Sequence, residues 1–270
     1  MRGDRLHRGW DEGLPETVGQ EAAKTIRGSR GMHSEAPAMA ARPITGTTLE
    51  IDLTSPAQLE LTNIVRRFGS RTVLTGADLR VPAGTIAWLG GPNGSGKTTL
   101  LRIAAGIVVP DSGAVAITGL DPARDRRACH RRLGYLSAGD RALYGRLTVA
   151  QNLEFWAAVA LVEPRRRPEL IDASLSRFEL GDLATSRVDR LSTGQRQRVR
   201  LAMTFLHEPT LVLLDEPHNS LDEHALLLLD AALNALAGRG GSALWCSPAP
   251  TAALRADAAY RLQDGRVVTA

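Results

Sequence analysis

The sequence predicts an α/β sandwich, a mostly parallel sheet covered by helices on both faces and preceded by an antiparallel piece. Three observations carry this. Apolar strand-like runs alternate with segments of helical spacing from Thr85 onward. The glycine-rich stretch "GPNGSGKTTLL", Gly91 to Leu101, stands between an apolar run and a helix. The run "TLVLLDE" is uniformly apolar up to its acidic end, which suits a parallel strand covered on both faces.

Residues 1–56 are rich in Gly, Pro, Ser, Thr and charge without sustained periodicity, and the sequence predicts that they are disordered. Met32 and Met39 offer alternative starts to Met1 within this stretch. From Gln58 the pattern changes. "QLELTNIVRRF" and "TVLTGADLRV" alternate like paired strands, and "TIAWLG", Thr85 to Gly90, reads as a buried strand. "GAVAITG" is a short strand and "ARDRRACHRRL" a charged helix. "TVAQNLEFWAAVAL", "PELIDASLSRFEL" and "TGQRQRVRLAMTFL" have helical spacing. After "TLVLLDE" a long helix from about Asp222 to Ala237 leads to the strand "SALWCS". In "AYRLQDGRVVTA", Asp264-Gly265 is a hairpin signal. No internal repeat is visible.

The 270 residues are 43% hydrophobic, ample for one sizeable core. No stretch approaches the roughly 20 apolar residues that cross a bilayer. "HALLLLDAALNALAG" is interrupted by Asp230 and Asn234, and the N-terminus lacks an apolar signal core. Cys129 and Cys246, the only cysteines, lack metal-ligand spacing and fit a reduced, cytoplasmic protein. The net charge is +4, with basic runs in "RDRRACHRRL" and "PRRRPEL". These read as solvated helix faces, and no nucleic-acid partner is expected.

The chemistry concentrates in three stretches. Gly91, Gly94 and Gly96 let backbone N–H groups curl around a phosphate at a helix N-terminus. Lys97 then reaches the terminal phosphates, and the Thr98 hydroxyl is placed for Mg²⁺. At the end of "TLVLLDE", Asp215 would hold Mg²⁺ directly or through water, leaving Glu216 to orient or deprotonate an attacking water. In "LSTGQRQRVRLA", Ser192, Thr193 and Gly194 open a helix whose N-terminal donors have no phosphate loop of their own.

"GPNGSGKTT", "LSTGQ" and "LLDEP" followed by "SLD", in that order, resemble the ATP-binding subunit of an ATP-binding cassette (ABC) transporter. The resemblance implies a phosphate-loop NTPase sandwich of the ABC ATPase type spanning 57–270, with an antiparallel β subdomain and a helical subdomain at about 140–205. It implies ATP and Mg²⁺ as cofactors. Gly91, Pro92, Asn93, Gly94, Ser95, Gly96, Lys97, Thr98 and Thr99 would bind nucleotide, with Thr98 and Asp215 on the metal and Glu216 catalytic. Phe68 would stack on adenine. Ser192, Thr193, Gly194 and Gln195 would cap the γ-phosphate bound by a second cassette, in a head-to-tail homodimer or heterodimer. Ser220, Leu221 and Asp222 would link the two sites. The implied partner is an integral membrane permease, which places the subunit on the inner face of the membrane.

Two departures stand out. Members usually carry a glutamine after the strand in "RLGYLSAGDRALYGRLT", where this chain has Ala138 or Gly139, with Asp140 as a candidate substitute and no glutamine before Gln151. They usually carry a histidine after the last core strand, where this chain has Ser247-Pro248. His218 and His224 lie beside the acidic strand and read as surface residues. The segment around Leu143, Tyr144, Leu147, Leu153 and Trp156 resembles the groove that receives a permease helix in exporters. Packing within the helical subdomain is its other reading. Slow hydrolysis follows as an expectation, and a degenerate, ATP-gated clamp with little turnover stands as the alternative function.

Overall fold

The computed structural model describes residues 56–139 and 142–270. The expectation of disorder for 1–56 therefore falls, apart from Pro56, outside the described residues, and so does Asp140. Strand β1 (Ala57–Phe68) pairs antiparallel with β2 (Arg71–Pro82) on one side and with β4 (Ser112–Ile117) on the other. These three form the antiparallel sheet, in the order β2-β1-β4.

The second sheet has six strands. Its order is β5-β6-β7-β3-β8-β9, from β3 (Ile86–Gly90), β5 (Leu133–Leu136), β6 (Leu211–Asp215), β7 (Ser242–Cys246), β8 (Ala258–Gln263) and β9 (Arg266–Thr269). All neighbours are parallel except β8 and β9, which close as a hairpin through Asp264 (φ 50°) and Gly265 (φ 76°). Two consecutive positive φ angles are what an Asp-Gly turn supplies.

The helices are α1 (Lys97–Ala104), α2 (Arg126–Arg132), α3 (Val149–Val159), α4 (Arg167–Arg177), α5 (Thr193–Phe205) and α6 (Glu223–Gly238). Every residue of β3, β6 and β7 is buried, because alternate side chains enter two different cores. Ile86, Trp88, Val212, Leu214, Ala243 and Trp245 face one core, shared with α3 to α6. Ala87, Leu89, Leu211, Leu213, Leu244 and Cys246 face the other, shared with α1 and the antiparallel sheet. A strand with no solvated face reads as a continuous apolar run.

Helix α2 is shorter than its sequence suggests. The Asp121 carboxylate accepts from Ala123 N at 2.8 Å, and Asp125 N donates to Asp121 O at 2.7 Å, so these residues form a turn. The basic runs are solvated. Arg126, Arg127 and Arg131 are exposed, and Arg165, Arg166 and Arg167 pair with Glu163, Glu208 and Glu154. Fully buried Asn152 organises the approach to α3. It accepts from Tyr144 N at 2.9 Å and donates to Tyr144 O at 3.1 Å and Thr148 O at 2.9 Å.

Candidate nucleotide site at the strand ends

The phosphate loop, residues 91–96, leaves the end of β3 and enters α1 directly. Gly91 has φ +140°, and a β-carbon there would meet Leu262 O at 2.7 Å. Gly96 has φ +110°, and a β-carbon there would meet Val73 Cγ1 at 2.8 Å. Both glycines are required by close approach of the strands around the loop. The Lys97 ammonium is buried and turned back, donating to Gly91 O at 2.7 Å and Pro92 O at 3.0 Å.

The acidic strand closes the other side. Asp215 is 2% exposed, and its Oδ1 accepts from Thr98 Oγ1 at 3.1 Å and from Cys246 Sγ at 3.0 Å. Its Oδ2 is buried without a hydrogen-bond partner. An open carboxylate oxygen beside a threonine hydroxyl is a fitting pair of hard donors for Mg²⁺. Among the described residues no three His, Cys, Asp or Glu side chains cluster to hold a metal.

Glu216 follows with φ +51°, an uncommon conformation for a non-glycine residue. Its N–H donates to Cys246 O at 3.0 Å, and its Oε2 accepts from Asn219 Nδ2 at 2.7 Å. Cys246 thus touches both acidic residues, through its thiol and its carbonyl. Burial first, then the Asp215 charge, pushes the Cys246 thiol well above its ordinary pKa, so it stays a neutral donor. Sequence reasoning missed Cys246 and Asn219. Register alone places Cys246 opposite Asp215 on the parallel strands β6 and β7.

Phe68 is no core residue. It is 48% exposed at the end of β1, with the Arg66 guanidinium 4.6 Å above its ring. Its cross-strand partner Arg71 donates to Gly94 O at 3.2 Å, tying this edge to the phosphate loop. Ser192 caps α5, its hydroxyl accepting from Gln195 N at 3.2 Å while Gln195 Oε1 accepts from Ser192 N at 2.9 Å. The Thr193 hydroxyl accepts from Arg196 at 3.2 Å. Gly194 abuts the loop after β6, since a β-carbon there would meet Ser220 O at 3.3 Å. Asp222 caps α6 by accepting from Ala225 N at 2.8 Å.

The two departures have structural counterparts. Gln151 is committed to the α3 cap, its Oε1 accepting from Thr148 N at 2.9 Å. Ser247 is buried and accepts from Trp88 Nε1 at 2.9 Å, while Pro248 is exposed. His224 is a surface residue against Glu179 at 2.7 Å. His218 is more enclosed than a surface residue, half-buried with Nδ1 shut in and without a partner.

A groove of about 300 Å³ opens on the same core, lined by residues including Tyr135, Ser137, Trp156, Val159, Arg200 and Met203. Of the segment singled out in the sequence, Leu153 is fully buried and packs the core, whereas Tyr144 is 49% exposed and packs edge-on against Phe155 at 4.8 Å.

The family model described as ABC transporter matches residues 74–219. The chain is 36% identical over 182 residues to the daunorubicin resistance ATP-binding protein DrrA3 of Streptomyces coeruleorubidus, covering 66% of this chain and 56% of that protein. It is 43% identical over 171 residues to the sulfate/thiosulfate import ATP-binding protein CysA of Rhodopseudomonas palustris, covering 61% and 48%. The match thus spans about half the length of these relatives. The cytochrome c biogenesis ATP-binding export protein CcmA of Paramagnetospirillum magneticum is 40% identical over 173 residues, covering 64% and 79%. A solved ATP-binding subunit of an ABC transporter superposes with TM-score 0.72 at 27% identity, covering 78% of this chain and 90% of that one. With the phosphate loop, the acidic strand and the capped α5 in one fold, the chain belongs to the ABC transporter family, as a nucleotide-binding domain of the ABC ATPase type.

Proposed function

We propose that the chain binds ATP with Mg²⁺ and hydrolyses it as the motor subunit of an exporting ABC transporter, slowly when isolated. The observation that carries this reading is buried Asp215, tied by one oxygen to Thr98 and Cys246 and open at the other, facing the phosphate-loop helix. On binding, Lys97 exchanges the carbonyls of Gly91 and Pro92 for phosphate oxygens. The exposed Phe68 ring takes adenine. Thr98 and Asp215 would hold Mg²⁺, which would supply charge neutralisation on the phosphates. Glu216, released from Asn219, orients and deprotonates the attacking water.

Two cassettes, either two copies or this chain with a related one, close head to tail. Ser192 to Gln195 of each then caps the phosphate bound by the other. The groove beside Trp156 receives a helix of an integral membrane permease, with Tyr144 and Phe155 exposed near Trp156. That contact places the subunit on the cytoplasmic face of the membrane. Export is supported by this apolar segment, while the relatives include proteins named for resistance or export and proteins named for sulfate/thiosulfate import.

A second reading, an ATP-gated clamp with little turnover, is favoured by Pro248 and by the commitment of Gln151 to a helix cap. Proline offers neither a side-chain donor nor an N–H. Steady-state hydrolysis of wild type, Pro248→His and Pro248→His/Ala138→Gln separates the readings. A placed proton-transfer group commonly contributes about 10²–10⁴-fold, so the variants should gain at least about tenfold. Turnover of several per second by unaccompanied wild type would refute slow hydrolysis. Identifying the membrane protein that co-purifies with the chain tests the motor assignment and the direction of transport.

A further inference from the structure

We propose that Arg200 and Gln197 form a relay between the groove and the catalytic loop, a mode of regulation that rests on the ATP-motor reading. Both side chains are 5% exposed on α5. Gln197 Nε2 donates to Pro217 O at 3.3 Å, directly after Glu216. Gln197 Oε1 accepts from Arg200 Nη1 at 2.6 Å. Arg200 Nη2 donates to Ser137 O, just past the end of β5, and Ser137 and Arg200 both line the groove. Two side chains therefore span the distance from groove wall to catalytic edge without a gap.

The far end of the relay has reason to move. Glu216 and Ser220 sit at φ +51° and +66°, strained values for residues with a β-carbon. Asn219 holds the Glu216 carboxylate, so freeing that carboxylate for water loosens a bent loop anchored to Gln197 through Pro217. In a buried, low-dielectric setting each link is costly to leave unmade, and a guanidinium that loses its acceptors is the costliest. Displacement at Pro217 is passed to Ser137, and an occupant of the groove that shifts Ser137 acts on Glu216 by the same route. Arg200 and Gln197 are positioning residues, since neither touches the phosphate loop or the acidic pair in these contacts.

The test is hydrogen exchange on the full chain, with and without ATP and Mg²⁺, in wild type, Arg200→Leu, Gln197→Leu and Arg200→Lys. Calorimetry on the same samples gives ATP affinity. In wild type, ATP should change exchange by about fivefold or more at His218–Leu221 and again at Ser137–Gly139, the ordinary size of coupling between two sites. Both leucine variants should bind ATP within about twofold of wild type, because they lie outside the nucleotide contacts. They should keep the response at His218–Leu221 and lose it at Ser137–Gly139. Arg200→Lys, which retains a charged donor, should restore part of it. A purely structural role would alter exchange equally with and without ATP, which counts against the relay. Survival of the Ser137–Gly139 response in both leucine variants overturns it, as does its absence from wild type that binds ATP. Failure of wild type to bind ATP overturns the motor reading and the relay together.

Discussion

Replacing Lys97 by alanine isolates the central electrostatic contact of the nucleotide site. The ammonium is 6% exposed and satisfied by two loop carbonyls, at 2.7 and 3.0 Å. In the proposed mechanism ATP binding exchanges these carbonyl partners for charged phosphate oxygens, and only the difference would appear in affinity. A hydrogen bond to a charged group contributes roughly 1.5–3 kcal/mol. At 1.4 kcal/mol per factor of ten, Lys97→Ala should weaken ATP binding by about 10- to 150-fold. Calorimetric titration with ATP at constant Mg²⁺ and low salt measures this, with thermal unfolding of the same variant as a folding control. An unchanged dissociation constant in a folded variant would show that Lys97 keeps its carbonyl partners, and would refute the phosphate assignment.

Glu216→Gln should hold a head-to-tail dimer in the presence of ATP, seen by sedimentation. A monomer with and without ATP, even beside the membrane subunit, would sink the dimer reading. Asn152→Ala strands the Tyr144 N–H and C=O, a loss of about 1–3 kcal/mol. Its unfolding temperature should fall by about 2–12 °C, and an unchanged value would mean that water replaces the amide. Burial holds the His207 imidazole below its usual 6.5, opposed by its contact with Leu133 O. The unfolded chain then protonates first, so stability present above pH 6.5 is lost as pH falls through the folded-state value. His207→Gln should flatten that acid limb in denaturant titrations between neutral pH and pH 5, and an identical slope would place the lost protons elsewhere.

Much of the fold was legible because its signals are local. Five buried residues in a row at Leu211–Asp215 follow from a strand with two covered faces, and Asp264-Gly265 dictates its own turn. Thr148 and Gln151, like Ser192 and Gln195, are three apart, the spacing of a capping box, and both pairs form one. That spacing was a readable sign that neither glutamine side chain was free. Thr98 and Asp215 meet across 117 residues of sequence, and spacing says nothing of it; what was legible was that the phosphate loop and the acidic strand end each called for the same Mg²⁺. Cys246 and Arg200 carried no sequence signal. One gains its place from the register of β7 against β6, the other from how α5 crosses the end of β5.

The position of β3 also has a consequence for the order in which the molecule is made. It lies between β7 and β8, and Ile86 N donates to the Asp257 carboxylate 171 residues further on at 2.9 Å. Leu262 O presses on Gly91, and the β8–β9 turn is fastened to β2 by Thr75 Oγ1 donating to Asp264 O at 2.9 Å. During synthesis the glycine-rich loop therefore leaves the ribosome long before the strands that shape it. Until β8 has emerged, its backbone donors have no fixed direction, and the nascent chain has no nucleotide site. ATP can thus stabilise this chain only once β8 has emerged, well after the glycine-rich loop itself has been made.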